Sequence, residues 1–452
     1  MSSVGIEMNP VDPERVVILV SPHSGILETW LPVISSLRKI KPGIRIHAIL
    51  PRPEIWPTLR SKDFVVQQCR MLIDTWIMAL PDGRWVEIKS PDSLRIRYFL
   101  ARTSRYVRKR FNRLSGMERE AQAIFFADLF RKKFGDRTIQ SIRAVLCDLF
   151  ELRHVELSAL VKSFSRAQIL SQAHGVDLQY LENNPRTFPD SKIPKDFEWL
   201  QQRDFSTLLY SESEKPYYVK QFGLSSSQMT VSGVLRHDPE WLEHLFNSSF
   251  SQSPVEPSYI FLASRPISDL FMSRQEKYRI LVMIRDYARS RGLLLVIRKH
   301  PSEKYRGKIE IEECLGPPGR RAGWIESNCH PLHLGFYCKL PISLHTSIAI
   351  DMARLGRPVI EPIDFTRCHP NTHSIRTLPD GKFASFYGQE GFALAGNGRA
   401  EFAQAADAIL SGTRGGDAST AYQRCYANPD GAIRTALSAL LSGMKPRSRP
   451  VD

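Results

Sequence analysis

"RVVILVSPHSGILETWLPVISSLRKIKPGIRIHAIL" (residues 15–50) decides the fold. Its opening, "RVVILV" (15–20), is a short β-branched run bounded by turn residues, the signature of a buried parallel strand. After "SPHSG" (21–25), apolar residues recur at helical spacing (Ile26, Leu27, Trp30, Leu31, Ile34, Leu37) until Pro42-Gly43 stops the pattern. "IRIHAIL" (44–50) is the next strand. Strand, helix and strand in this order form a β-α-β unit, the building block of a parallel sheet.

The same rhythm runs outward. Strands are expected at "AVLCDLF" (144–150), "AQILSQAHG" (167–175), "STLLYSES" (206–213) and "QMTVSGVL" (228–235). "NSSFSQSPVEPS" (247–258) breaks the pattern, being rich in Ser and Pro without periodicity. The alternation then restarts with strand "YIFLAS" (259–264), helix "SRQEKYRILVMIRDYARSRG" (273–292), and strand "LLLVIRKH" (293–300). It continues through strand "LPISLH" (340–345), helix "SIAIDMARLG" (347–356) and strand "RPVIEP" (357–362). The expectation is an α/β protein of two Rossmann-like domains facing a cleft, with ligands at the carboxyl ends of the strands. The N-terminal domain would cover 1–246, with a basic helical insertion at about 92–140. A linker at 247–258 leads to a C-terminal domain over 259–430, which has an amphipathic helix near 398–411, and a tail over 431–452 follows.

Composition narrows the class. A chain of 452 residues exceeds one ordinary core, and 42% hydrophobic with 24% charged residues fits a soluble globular protein. No stretch approaches the roughly 20 apolar residues that span a bilayer. "MSSVGIEMNPVDPERVVILV" has no basic segment followed by an apolar one, so no signal peptide is expected. Seven scattered cysteines without a CxxC pair suit reduced thiols in a cytoplasm. With 62 Lys+Arg against 47 Asp+Glu, the chain carries +15, which suits either anionic company or plain solubility. Residues 95–113, "RIRYFLARTSRYVRKRFNR", crowd Arg and Lys among Tyr, Phe, Leu and Val. They read either as a solvated helix face or as a peripheral contact with an anionic membrane.

Several chemistries lack their motifs. The sequence has no GxxxxGK[ST], GxGxxG or GxSxG, and no Asp-x-Asp of the kind that clamps a metal-bound diphosphate. "NCHPLHLGFYC" (328–338) offers zinc ligand types in Cys329, His330, His333 and Cys338, but at the spacing of no common finger. It also reads as an amphipathic helix leading into a strand. No metal is expected.

The second half carries the candidate donor site. Arg298, Lys299 and His300 end a strand, and Pro301 turns the chain. A histidine there can hydrogen-bond a phosphate oxygen or, protonated, neutralise a leaving phosphate. Another strand ends at His345, and Thr346-Ser347 open a helix whose free N–H groups suit an anion, although plain N-capping explains them equally. The next strand delivers Glu361, a candidate acceptor for ribose hydroxyls. Arg265, just after strand 259–264, completes the candidate donor set.

"RKHPSE" and "HTSIAIDMARLGRPVIEP" together resemble the donor domain of two-domain (GT-B) bacterial surface-carbohydrate enzymes. These include capsule and surface-polysaccharide biosynthesis proteins, sialyltransferases with HP and SS/ST motifs, Kdo transferases, and CDP-glycerol glycerophosphotransferases. "ILSQAHGVD" (169–177) resembles their His-Gly loop, and residues 208–242 resemble the passage ending in Gly-x-x-Arg-x-Asp. The resemblance spans about 140–365 and is thin over 50–140. The acid pair of sialyltransferases has no match.

The resemblance implies that His300, Thr346 and Ser347 bind the donor phosphate, with Arg298 or Lys299 adding positive potential. It implies a nucleotide-sugar-dependent glycosyltransferase, or a polyol-phosphate transferase, that needs no metal or cofactor. The partners would be a donor linked to CMP or CDP and a glycan or lipid-linked acceptor, on the cytoplasmic side of the membrane, with no nucleic acid expected. His174, beside Gly175, is the first candidate for the catalytic base. His23, in a cleft loop with Ser24 and Gly25, is the second. Two alternatives stand beside this reading, a UDP-N-acetylhexosamine 2-epimerase and a non-catalytic polyanion- or nucleic-acid-binding protein.

Overall fold

A computed structural model describes residues 13–20, 25–51, 63–80, 84–89, 119–175, 195–256, 258–268, 272–300, 303, 310–367, 375–413, 417–427 and 431–444. The loop residues His23 and Ser24, and the basic segment 95–113, lie outside them.

The first sheet is built from β1 (Arg15–Leu19), β2 (Arg45–Leu50), β3 (Thr75–Ala79), β4 (Trp85–Ile88), β5 (Ile142–Cys147), β6 (Gln168–Gln172), β7 (Phe205–Leu209) and β8 (Met229–Val231), in the order β4-β3-β2-β1-β5-β6-β7-β8. All neighbours are parallel except the edge pair β3–β4. Its helices are α1 (Gly25–Ile40), α2 (Asp63–Leu72), α3 (Arg119–Gln140), α4 (Val155–Ser163), α5 (Lys215–Phe222) and α6 (Pro239–Ser248). Both faces are buried, which is why the strands read as near-continuous apolar runs. Val16 and Ile18 of β1 enter one core, and Val17 and Leu19 the other.

The second sheet contains β9 (Tyr259–Ala263), β10 (Leu294–Arg298), β11 (Trp324–Glu326), β12 (Leu340–Ser343), β13 (Val359–Glu361) and, after the small hairpin β14 (Ile375–Thr377) and β15 (Phe383–Ser385), β16 (Ala393–Ala395). Its order is β11-β10-β9-β12-β13-β16, all parallel. Around it lie α7 (Arg274–Ser290), α8 (Glu310–Leu315), α9 (Pro331–Tyr337), α10 (Ile348–Arg354), α11 (Phe386–Gln389) and α12 (Arg399–Leu410). Two parallel sheets, each flanked by helices, give the two Rossmann-like halves expected from the sequence.

The last helices, α13 (Asp417–Cys425) and α14 (Ala432–Gly443), complete the core between the halves. Ala432, Ile433, Ala436, Leu437 and Leu440 of α14 are buried in the core that contains α1, and Gln168 of β6 donates to the Ala439 carbonyl at 3.1 Å. Residues 431–452, read as a tail, therefore begin with a helix packed on the first sheet. A short amphipathic helix close to the C-terminus is hard to tell from a solvated end until its partner surface is known. Among the described residues, no helix is long and apolar enough to cross a membrane.

Candidate functional site

β5 and β6 are neighbours in the first sheet, and each ends at its carboxyl edge on a residue with chemistry. Asp148 follows β5, and His174 stands two residues beyond β6. Asp148 is 1% exposed and accepts at Oδ2 from both His174 Nδ1 (2.6 Å) and His174 N (2.9 Å). Its other oxygen accepts from Phe150 N at 2.9 Å and caps the short 3₁₀ turn Leu149–Arg153. A carboxylate held this firmly fixes both the tilt and the tautomer of the imidazole, leaving the lone pair on Nε2. The His174 side chain remains 32% exposed. Gly25, the first residue of α1, lies under the ring, and a Cβ built there would sit 3.4 Å from His174 Cδ2. The structure thus brings Gly25 and His174 together and adds Asp148, which the sequence pattern places inside a strand.

On the second sheet, the candidate donor residues share the carboxyl edge, with β9 between their strands. Ala263 of β9 is in register with both Arg298 of β10 and Ser343 of β12. His300 and Thr346 therefore leave the sheet about two strand spacings apart, roughly 10 Å, with Ser264 and Arg265 between. Arg265 Nη1 donates to the carbonyl of His345. The Thr346 hydroxyl is paired with Ser343 Oγ at 2.9 Å, and Thr346 N also bonds that oxygen at 3.0 Å. Ser347 is the residue before α10 and makes no side-chain cap, so N-capping does not account for it.

His300 is held from below. Its N–H donates to Glu303 Oε2 at 2.6 Å, and Glu303 Oε1 in turn accepts from Ser264 (2.8 Å) and from Lys277 Nζ (2.5 Å). Lys277 is fully buried and also reaches Glu310 at 3.0 Å.

Two expected roles need correction, whereas Arg298 keeps its charge while its Nη1 is fixed by bonds of 2.6 Å to the carbonyls of both Asn328 and Cys329. Lys299 is paired with Glu326 at 2.7 Å and Glu312 at 3.3 Å. Burial works against its ammonium, but the two carboxylates outweigh it and raise its pKa. Glu361 is 4% exposed and accepts from His345 Nδ1 at 2.8 Å, so it is a buried anchor rather than an open acceptor for ribose. His345 itself has φ 54°, and it is the sole non-glycine residue at positive φ among those described. The Glu361 bond and the flanking rings of Phe365 and Tyr387, both with centroids 5.2 Å away, hold it in that costly conformation.

The two edges meet through a buried ionic cluster. Asp351 of α10 accepts at one oxygen from Arg236 (2.7 Å) and His237 (2.6 Å), which follow β8. His237 Nδ1 is 2.8 Å from the Tyr422 hydroxyl of α13. Burial pushes the His237 pKa down to about 4, so the ring is neutral and donates from Nε2. Burial would raise Asp351, yet Arg236 and His237 together hold it below the usual carboxylate range. Glu28 of α1 lies 3.9 Å from His330, which caps α9. Gly25 is one helical turn from Glu28, and Ser347 one turn from Asp351. Both candidate edges therefore lie close to the same junction.

Cys329, His330, His333 and Cys338 do not converge. His330 Nδ1 caps Leu332 N at 3.3 Å, His333 Nε2 bonds the Gln252 carbonyl at 2.7 Å, and Cys338 is buried. Among the described residues, no three His, Cys, Asp or Glu side chains group as a metal site.

No family model and no curated protein matches the chain. Solved structures do. The wall teichoic acid polymerase TagF superposes with a TM-score of 0.54 at 11% identity, covering 96% of this chain and 90% of that one. A second TagF structure, from a 15-minute soak of a variant with CDPG, gives 0.52 at 11% identity over the same shares. UDP-GlcNAc 2-epimerase from Methanocaldococcus jannaschii gives 0.52 at 12% identity, covering 95% of this chain and 99% of that one.

The chain has the GT-B fold. The GT-B framework puts the candidate residues in order, with the His174–Asp148 pair on one half and the His300 and Thr346 loops on the other. Sequence reasoning missed Asp148, although an aspartate directly after a buried strand, next to the strand that carries His174, was a usable signal. It also matched Gly-x-x-Arg-x-Asp at 233–238 without seeing that Arg236 and His237 close the GT-B halves on Asp351. That pairing crosses more than a hundred residues and leaves no local trace.

Proposed function

We propose that this protein is a nucleotide-sugar-dependent transferase that moves a sugar unit, or a polyol phosphate, onto a glycan or lipid-linked acceptor, with His174 as general base. The observation that carries this reading is the 2.6 Å contact between His174 Nδ1 and the buried Asp148. A base oriented by a third group is the arrangement that activates a hydroxyl nucleophile. In this reading an acceptor hydroxyl gives its proton to His174 Nε2 as its oxygen attacks the anomeric carbon, or the phosphorus of a polyol phosphate. The bond to the nucleotide's phosphate breaks, and Asp148 stabilises the imidazolium. His300, Thr346, Ser347 and Arg265 are the groups proposed to receive the departing phosphate's charge.

A CMP- or CDP-linked donor is preferred, supported by the fold shared with TagF, one structure of which came from a CDPG soak. The second reading is a UDP-N-acetylhexosamine 2-epimerase, supported by alignment over 99% of such an enzyme. Thermal stabilisation by CMP, CDP, UDP, GDP and a single-stranded oligonucleotide separates them. A shift with CMP or CDP that disappears in His300→Ala supports transfer. A response to UDP alone favours the epimerase, and a salt-sensitive response to oligonucleotide that survives His300→Ala overturns both. Proximity to a membrane, through residues 95–113, belongs to this proposal as well and is tested by sedimentation with anionic vesicles.

A further inference from the structure

Between the first sheet and α3 lies a cavity of about 340 Å³. Helix–sheet interfaces normally close to crystal-like density, and this volume lies within the range of small-ligand pockets. The roof opens where α3 breaks at Gly135, whose φ of 74° and ψ of 155° are far from helical. Val17, Ile49 and Ile77 make the floor apolar, Phe130 adds to it from α3, and each is buried.

The charges are what make this space more than a packing flaw. Arg15 bonds Ser141 Oγ at 2.8 Å and approaches His47 Nε2 at 3.3 Å, and among the described residues it has no carboxylate partner. Lys133, exposed on the roof, has none either. A guanidinium only donates, so His47 Nε2 accepts and the ring proton sits on Nδ1. Burial and then Arg15 depress the pKa of His47 to about 4, which keeps that ring neutral. Nδ1 is shut off from solvent and has no hydrogen-bond partner among the described residues. An orphaned donor of this kind is destabilising, and a valine at 47 would fill the same strand position without it. Glu87 lines the other end, on β4, three strands from Arg15.

We propose that this cavity is a second ligand site, for a small carboxylate carried on a short apolar body. The carboxylate sits against Arg15, and a small turn of the imidazole gives the His47 donor an acceptor. The apolar body covers Val17, Ile49 and Ile77. Arg15 and Lys133 against Glu87 leave one net positive charge, which suits a monoanion and disfavours a nucleoside diphosphate. Arg15 and Ile142 begin β1 and β5, whereas Asp148 follows the other end of β5, roughly 20 Å away at strand rise. Occupancy is therefore separate from the His174 edge.

Isothermal titration of the full chain tests this with octanoate, 3-phenylpropanoate, acetate and octan-1-ol. The first two distinguish a fatty from an aromatic acid. Saturable one-to-one binding of either, with at least tenfold weaker binding of acetate and octanol, is the expected result. Arg15→Gln should weaken it at least tenfold, and Ile77→Phe, which fills the floor, should abolish it. Should Ile77→Phe fail to fold, the His47 ring nitrogen resonances of the wild type provide the second readout, and they shift on binding. Absence of saturable binding, equal binding of octanol, or unchanged affinity in Arg15→Gln overturns the proposal.

Discussion

Asp351 on α10 and Arg236 after β8 lie 115 residues apart in sequence and 2.7 Å apart in space, and His237 shares the same carboxylate oxygen. This cluster joins the two halves in a setting nearly free of solvent. Removing one partner leaves a buried charge uncompensated. Asp351→Ala should therefore cost about 3–5 kcal/mol, read as a lowered urea midpoint. A loss below about 1 kcal/mol, typical of a surface pair, would show that the cluster does not join the halves.

The histidines set an acid limit. His47 and His237 both have folded pKa values near 4, against about 6.5 for the free side chain. Below 6.5 the unfolded chain takes up protons that the folded one refuses, so stability falls as pH drops from 6.5 towards 4. Each residue accounts for up to about 3 kcal/mol across that window. Asp351, depressed in the folded state, adds its own loss only at still lower pH, as its carboxylate protonates. Urea midpoints at pH 7.5, 6.0 and 5.0 measure the slope, and His237→Gln should flatten it.

His174→Ala should lower kcat for the proposed transfer by about 10²–10⁴ while nucleotide affinity stays within twofold. Asp148→Asn should lower kcat in the same direction, because a side-chain amide no longer fixes the tautomer. Nucleotide affinity should hold in Asp148→Asn as well, whereas a purely structural defect would lower both. Steady-state kinetics with the nucleotide identified by thermal shift decides between them.

Leu440 is fully buried where α14 meets the first half. Leu440→Ala should cost about 2–5 kcal/mol, visible as a lowered melting temperature. An unchanged melting temperature would mean that the C-terminal segment is peripheral after all.

Residues 15–50 declared the parallel sheet because a strand buried on both faces has to be apolar throughout, and because Trp30, Leu31 and Ile34 can share a face only on a helix. The same local logic found the strand ends that carry His174, His300 and Thr346. It failed where meaning depends on a distant partner. Lys299 looked like a free cation because Glu312 and Glu326 approach only after folding. Glu361 looked open because nothing beside it in sequence reveals His345 across the sheet edge. His345 gave no hint of its backbone strain, since a non-glycine residue at positive φ is imposed by surrounding contacts rather than by its own preference.

The return of α14 to the first sheet has a mechanical meaning. The polypeptide passes between the halves twice, once near residue 250 and again after α12. A body tethered at one point can swivel, whereas one tethered at two can only fold about the line through them. Any opening that admits a ligand should therefore trace a single arc, with the gap between the His174 and His300 edges as its mouth.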